Sequence, residues 1–392
     1  MSENPYLMSE NPYLTSRMRG FGTTIFAQMS ALAVATQAVN LGQGFPDTDG
    51  PPEILEAAID AIRAGHNQYP PGIGIPELRQ TVAEHQKRFY DITLNPDTEV
   101  LITAGATEAI TAALLALCEF GDEVVVFEPY YDSYAAAIAM AGAHRRCVPL
   151  RPPDYSYAPE DLEAAISERT RLILVNSPHN PTGKVFSRSE LSHIASLAVE
   201  RNLLVVTDEV YEHIVFEGEH LPLATFPQMA ERTVSISSAG KTFSVTGWKI
   251  GWITTTEELV RAIQTTKQFL TYVNGAPFQH AIVKGLRLGD SYFKELAQNL
   301  QMCKDELSAG LREVGMEVHE SHGTYFVISD ISGFADDGLE FCLGLPERCG
   351  VVAVPVQVFC DDLELGASLA RFAFCKKPEV IAEAVKRLGR LN

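Results

Sequence analysis

Lys241 and Lys249 stand eight residues apart in SAGKTFSVTGWKIGW, directly behind the apolar run VSIS (234–237). A lysine that follows a strand, Ser238 and two small residues can be partly desolvated, which lowers its amine pKa and makes it a nucleophile able to form an imine. A solvated surface lysine answers the same spacing. Lys249 adds a second cation, suited to a phosphate. Asp208 closes another apolar run, LVVT (204–207). A carboxylate at the end of a buried strand costs free energy unless it meets a cation or a strong donor, such as a protonated heterocyclic nitrogen. Capping the next helix would satisfy it as well.

Three more strand ends bear chemistry of this kind. AGATEAI follows VLIT (100–103), and its glycine turn opens a helix at Ala106 and Thr107. Free N–H groups and the helix dipole favour a phosphate there, although a plain strand-to-helix turn reads the same way. EPYYDSY follows VVVF (124–127) and offers Tyr131 either to stack on a flat ring or to pack in a core aromatic pair. NSPHNPTG follows LILV (172–175) and presents Asn176 and Asn180 from a turn stiffened by Pro178 and Pro181, as ligand donors or as ordinary turn residues. Together these segments supply a phosphate cradle, a stacking ring, an acid for a pyridine nitrogen, donors for a phenolate and an imine-forming lysine, all on one sheet edge.

Such an edge needs a sheet to carry it. From about residue 95 to 255, the five runs above and IGWIT (250–254) alternate with longer stretches of helical pattern. Each run is low in polarity and bounded by Gly, Pro, Asp, Asn or Ser, as parallel strands buried on both faces require. In open parallel sheets ligands bind beyond the carboxyl ends of the strands, where these residues fall. After about residue 285 the pattern changes to an amphipathic helix, YFKELAQNLQMCKDELSAGLREVG, and the strand candidates MEVHE, GTYFVISD, VVAVPV and ARFAFC. The expected architecture is therefore α/β with a second, smaller α+β lobe, in keeping with a chain of 392 residues that exceeds the reach of one core. The expected divisions are a flexible start (1–19), in which MSENPYL is repeated at 8–14, an arm packing on the small lobe (20–50), a large domain (51–288) and a small one (289–392).

Composition narrows the classes of partner. Fifty acidic side chains against 31 basic ones give a net charge of -19, a field that repels phosphate backbones and anionic lipid. No nucleic acid and no membrane are expected as partners. Seven scattered cysteines with no CxxC pair suit a reducing compartment and give no zinc pattern, so a cytoplasmic protein with no metal is expected. No stretch approaches ~18 uninterrupted apolar residues. No GxGxxG follows the first strand, which sets aside a simple NAD-binding protein.

The segments NSPHNPTGKV, TDEVY, SSAGKTFSVTGWKIGW and ARFAFCKK, with LGQGFPD near the start, resemble the class I and II aminotransferases of the pyridoxal phosphate-dependent fold type I. Within that family the likeness is to the branch of kynurenine aminotransferase, glutamine transaminase K and bacterial N-succinyldiaminopimelate aminotransferases. It runs from about residue 20 to the end. The resemblance implies a mostly parallel seven-stranded sheet sandwiched by helices. It also implies that Lys241 carries pyridoxal 5′-phosphate covalently and later shuttles a proton, with Asp208 on the pyridine nitrogen and Asn180 and Tyr211 on the ring hydroxyl. Tyr131 would stack on the ring, and Ala106, Thr107, Ser238 and Lys249 would hold the phosphate. Arg371 would grip the substrate α-carboxylate with Asn180 and the backbone near Gly44. Tyr69, in NQYPPGIG, would cross from a second subunit to the phosphate, making a homodimer with shared sites.

Two departures from the family pattern stand out. Lysine occupies position 249, where arginine is common, and TAGATEAI replaces a bulkier, aromatic version. Arg371 reads any α-carboxylate, so the side-chain pocket decides the substrate. Phe21, Phe45, Tyr69 and residues 272–280 are expected to form it, which leans towards large neutral, aromatic, kynurenine, glutamine or methionine side chains. An N-succinyldiaminopimelate aminotransferase of lysine biosynthesis and a cysteine-S-conjugate β-lyase share the same constellation and remain alternatives. A regulator fused to a DNA-binding module would need a winged helix ahead of the cofactor lobe, and only about twenty residues precede the resemblance.

Overall fold

The computed structural model describes residues 11–22 and 24–391; the expected flexible start, with the first MSENPYL and the opening of its repeat, lies outside the described residues up to residue 10. Among the described residues thirteen short strands form three sheets. Strand β1 (Val39–Asn40) comes first, and the next seven build the large sheet: β2 (Val100–Thr103), β3 (Glu123–Glu128), β4 (His144–Pro149), β5 (Thr170–Asn176), β6 (Leu204–Asp208), β7 (Thr233–Ser238) and β8 (Gly251–Thr254). The remainder are β9 (Glu317–Val318), β10 (Phe326–Asp330), β11 (Val351–Val352), β12 (Val354–Pro355) and β13 (Leu369–Ala373).

The large sheet runs in the order β2-β8-β7-β6-β5-β3-β4. Only β8 opposes its neighbours: it pairs antiparallel with both β2 and β7, whereas the pairs among β7, β6, β5, β3 and β4 are parallel. The apolar character of IGWIT therefore reports burial on two faces and not strand direction. Trp252 packs on one face of the sheet and Ile253 on the other. The seventh strand, β4, is spelled HRRCVP and lacks an apolar run, because it sits at the sheet edge with His144 and Cys147 among side chains that stay partly or fully open to solvent.

Alternation along each inner strand feeds separate cores. Val124 and Val126 of β3 point to one helical layer, built on the helices Gly105–Leu117 and Glu257–Lys267, while Val125 and Phe127 pack on the opposite face with the helix Arg188–Glu200. That last helix starts with a full capping box, Ser187 and Glu190 each satisfying the other's backbone N–H.

Strands β12-β13-β10-β9 form an antiparallel sheet, and β1 joins β11 in a parallel pair through Val39↔Val351. The N-terminal segment thus contributes a strand beside the C-terminal sheet. The helices Ile25–Thr36, Asp290–Glu313, Gly338–Cys349 and Pro378–Leu388 cover this region, and its core runs on to Val210 and Tyr211 at the end of β6. That continuity brings Arg371, in the middle of β13, to the large sheet's carboxyl edge. Among the described residues no helix is long and apolar enough to cross a membrane, and all seven cysteines are free thiols.

Candidate active site

The strand ends of the large sheet, the turn at 42–45 and β13 enclose a cavity of about 350 Å³. Gly44, Ala106, Thr107, Tyr131, Asn176, Asn180, Asp208, Tyr211, Ser238, Lys241, Lys249 and Arg371 all line it. Tyr69 does not: it is 80% exposed and meets Tyr272 edge-on at 5.5 Å. Phe45 lines the cavity as expected, but Phe21 lies in a separate surface groove, and residues 272–280 do not reach the wall.

At one end is a turn that only glycine can make cheaply. Gly105 has φ +73°, and a Cβ on it would stand 3.4 Å from Nζ of Lys249. A Cβ on Gly251 of β8 would strike the Gly105 backbone at 2.7 Å, so the antiparallel strand presses directly on the start of the helix Gly105–Leu117. Lys249 itself has φ +54°, a left-handed conformation that costs a residue with a side chain about 1–3 kcal/mol. Asn274 holds it there by donating to the Lys249 carbonyl at 2.8 Å and to the Thr103 carbonyl at 3.2 Å. A helix N-terminus, a glycine without side chain and an ammonium group converge on one small space, which suits a phosphate.

Asp208 lies at the floor, 4% exposed. Tyr134 donates to its Oδ2 at 2.6 Å and the Val210 N–H to its Oδ1 at 3.3 Å. Burial pushes the carboxyl up to about 6, opposed by the Tyr134 bond, the Val210 N–H and the charge of Lys241. Lys241 is drawn down to about 8, first by burial and then by the nearby cations Lys249 and Arg371, against the pull of Cys375 and Asp208. Its Nζ has the Gly44 carbonyl at 3.4 Å and lies 5.8 Å from the Tyr211 ring centre and 5.5 Å from that of Tyr325. A buried amine with one long hydrogen bond and a lowered pKa is suited to act as a nucleophile.

Asn180 ties the two ends together. Its backbone N–H donates to Oδ1 of Asn176 at 2.7 Å, and Nδ2 of Asn176 donates to the Asp208 carbonyl at 2.8 Å. Oδ1 of Asn180 accepts from Nη1 of Arg371 at 2.9 Å, which leaves the amide NH₂ of the same side chain as a donor to the cavity. Arg371 is 1% exposed, yet among the described residues it makes only one more hydrogen bond, from Nη2 to the Gly42 carbonyl at 2.9 Å. Its Nε is buried without a partner. Phe326, with its ring centre 4.0 Å from the guanidinium carbon, and Phe359 and Phe26 at 5.1 and 5.2 Å supply the rest of its environment. Burial lowers Arg371 to about 10. A fork with spare N–H groups and no carboxylate bonded to it is built to receive one. Gly44 matters here for space, because a Cβ on it would run into the Phe326 ring at 2.5 Å.

Tyr134, Tyr325 and Phe326 were not selected from the sequence. Tyr134 stands one helical turn after Tyr131 in EPYYDSY, and Tyr325 and Phe326 are the aromatic pair in GTYFVISD. Tyr325 donates to the Gly44 carbonyl and meets Tyr211 edge-on at 5.1 Å.

One further cluster has ligand-type atoms: His85, Glu212 and His213, whose ligand atoms lie within 4.8 Å of one another. Nε2 of His85 and Nε2 of His213 are 2.7 Å apart, a hydrogen bond. Two nitrogens bound to one tetrahedral zinc at ~2.0–2.1 Å each would stand about 3.3 Å apart. Burial, with Arg88 beside it, holds His85 down at about 3, so the pair is a neutral one.

A profile described as "Aminotransferase class I and II" matches residues 36–388. A protein named as a probable N-succinyldiaminopimelate aminotransferase, DapC, from Mycobacterium tuberculosis is 51% identical over 388 residues, covering 96% of this chain and 98% of that one. The methionine aminotransferase of Escherichia coli is 39% identical over 393 residues, covering both chains fully. The solved structure of the N-succinyldiaminopimelate aminotransferase from M. tuberculosis superposes with a TM-score of 0.94 over 97% of this chain and all of that one, at 51% identity.

Proposed function

The chain belongs to the class I and II aminotransferases, which use pyridoxal 5′-phosphate, and from that premise we propose that this enzyme takes amino acids with large neutral side chains, of the methionine, glutamine, aromatic or kynurenine type. The wall of the cavity carries the proposal. Beyond the α-carboxylate fork it includes Phe26, Phe45, Ile110, Tyr131 and Phe326 with the amide Gln43, and its only lysines and arginines among the described residues are Lys241, Lys249 and Arg371. Each of those three already has a task, so a side chain with its own negative charge finds no free cation in this chain.

The residues fit the cofactor. The glycine and ammonium cradle at Gly105 and Lys249, with Ala106, Thr107 and Ser238, would hold the phosphate, and the ring would lie against Tyr131. Asp208 would keep a proton on the ring nitrogen, and Asn180 and Tyr211 would bond the ring hydroxyl. When bound, pyridoxal phosphate supplies an electron sink for the carbanion left as Cα loses its proton. Arg371 and the Asn180 amide would fix the substrate carboxylate, so that the Cα–H bond has one orientation towards Lys241. Lys241, whose amine burial draws down to about 8, would then be the base that takes the proton from Cα and delivers it to the cofactor's C4′, two bonds away. The aromatic wall excludes water from that transfer.

The same reading places the active enzyme in a homodimer in the cytoplasm. Tyr69 and Tyr272 are exposed aromatics in edge-on contact, and the buried ammonium of Lys267 donates to the Tyr272 carbonyl at 2.7 Å and fastens that loop. Such a patch favours a second copy of the chain, with Tyr69 reaching the partner's phosphate cradle. The expected divisions at 50 and 288 go with it, as arm, cofactor domain and small domain.

The similarity at 51% to the N-succinyldiaminopimelate enzyme favours a second reading, in which the distal carboxylate of a succinylated substrate is met by a cation outside this cavity wall. A screen separates the two. Purified enzyme is assayed with 2-oxoglutarate against methionine, glutamine, phenylalanine, kynurenine and N-succinyl-diaminopimelate. The proposal expects kcat/KM for at least one neutral donor to exceed that for the succinylated one by about tenfold or more, a difference of about 1.4 kcal/mol in transition-state binding. The reverse order would overturn it.

A further inference from the structure

We propose that Tyr134 is a positioning residue of the reaction: its hydroxyl, donating to Oδ2 of Asp208 at 2.6 Å, keeps that carboxylate ionised and turned towards the cavity. The proposal rests on the reading of Asp208 as partner of the ring nitrogen. Asp208 closes β6, and every other group that faces it does something different. Val210 offers a single N–H to Oδ1 at 3.3 Å, and Asn176 bonds only the Asp208 carbonyl. Lys241 acts through its charge, Glu209 opposes it with a like charge, and Tyr131 and Tyr211 are neutral neighbours. Among the described residues Tyr134 alone places a side-chain hydroxyl at short range on one oxygen of Asp208, while the other takes only the longer bond from the Val210 N–H.

The placement is exacting. Tyr134 is 2% exposed, in the helix Asp132–Met140, and its ring is held edge-on at 5.7 Å by Tyr131, the residue that caps that helix and lines the cavity. Stacking residue and Asp208 donor therefore sit one turn apart on a single helix, so the ring plane and the carboxylate are set by one element. A buried carboxylate without this donor would protonate more readily, and a neutral acid cannot hold a proton on a pyridine nitrogen. Burial already moves Asp208 up to about 6, so the margin at neutral pH is small and the hydroxyl is what preserves it.

Tyr134→Phe in the full-length enzyme tests this, since it deletes one oxygen and keeps the ring. Two quantities are followed against pH: the Kd for pyridoxal phosphate and kcat/KM for a good donor. Loss of a hydrogen bond to a charged group moves the acidic limb of both profiles upward by about one to two pH units, because less carboxylate survives at a given pH. Ring-fluorinated tyrosine at position 134, a more acidic phenol and stronger donor, moves the limb the opposite way, and it decides the matter if the phenylalanine variant fails to fold. Limbs unmoved within about 0.3 units in the variants that fold, with only a lower Tm, would overturn the proposal and leave Tyr134 a packing residue. Asp208→Asn is the control. If it binds pyridoxal phosphate like the wild type, the reading of Asp208 itself fails, whatever Tyr134 does.

Discussion

The end of β6 separates two sets of buried ionisable side chains, and they differ in whether their spare hydrogen-bonding capacity faces the cavity. On the cavity side stand Asp208, Lys241 and Arg371. Behind them, from the same DEVYEH segment, Glu209, Glu212 and His213 meet His85 and His220. In the second set the bonds run among its own members, and the atoms left over, Nδ1 of His85, Nδ1 of His220 and Oε2 of Glu212, are buried in residues that do not line the cavity. Thr207 donates to Glu209 at 2.6 Å, Nε2 of His220 lies 3.2 Å from Glu209, Ser237 donates to Glu212 and the two imidazoles of His85 and His213 share a proton. In the first set Lys241 has one long contact and Arg371 keeps donors in reserve beside about 350 Å³ of space. Strongly shifted ionisable groups occur in both, so a shift alone does not mark a catalytic site; spare hydrogen-bonding capacity facing a cavity does.

Substitutions can break this contrast. Lys241→Ala removes the proposed base and covalent anchor together, so transamination should fall by about 10⁴-fold or more while the Tm of the protein stays close to that of the wild type. A steady-state assay beside thermal unfolding checks both halves. Arg371→Lys keeps the charge and loses the planar fork, so KM should rise about 10- to 100-fold for every amino donor by a similar factor. A rise confined to one class of side chain would assign Arg371 to side-chain recognition instead.

Glu212→Gln addresses the second set, and there the order of effects inverts. Turnover should stay within about threefold, since no atom of Glu212 faces the cavity. The effect should appear in stability. Burial raises Glu212 to about 7 from an ordinary value of 4.5, so the folded protein binds a proton that the unfolded chain releases between those values. Stability from this group is therefore greatest at low pH and is lost as pH rises from about 4.5 to about 7. Glutamine cannot titrate, so denaturant midpoints of the variant should gain on the wild type across that window.

Most of this contrast's first half can be read from residue types at strand ends. A short apolar run followed by a small set of polar residues is a local signal, and it located Lys241, Asp208, Asn180 and the Gly105 turn. What was missed is tertiary. Tyr134 reaches Asp208 across 74 positions, and Phe326 lies beneath Arg371 because β10 and β13 pair at Ile328↔Arg371. Neither aromatic differs in its local pattern from a core residue. Strand β4 escaped because an edge strand need not be apolar, and the reversed direction of β8 escaped because burial on both faces is the same for either direction. Phe21 was drawn to the pocket by its type alone, and the chain carries it into a neighbouring groove.

The central claim is that Lys241 is the residue on which the cofactor is held and the proton is moved. Treating the purified enzyme with sodium borohydride and mapping the peptides tests it most directly, because reduction fixes the bond between lysine and pyridoxal phosphate. The expected product is one modified peptide, spanning SSAGKTF, with the added mass on Lys241 and with loss of both the yellow colour and the activity. An adduct on Lys249 or Lys267, or a colourless protein with no adduct after incubation with pyridoxal phosphate, would contradict it.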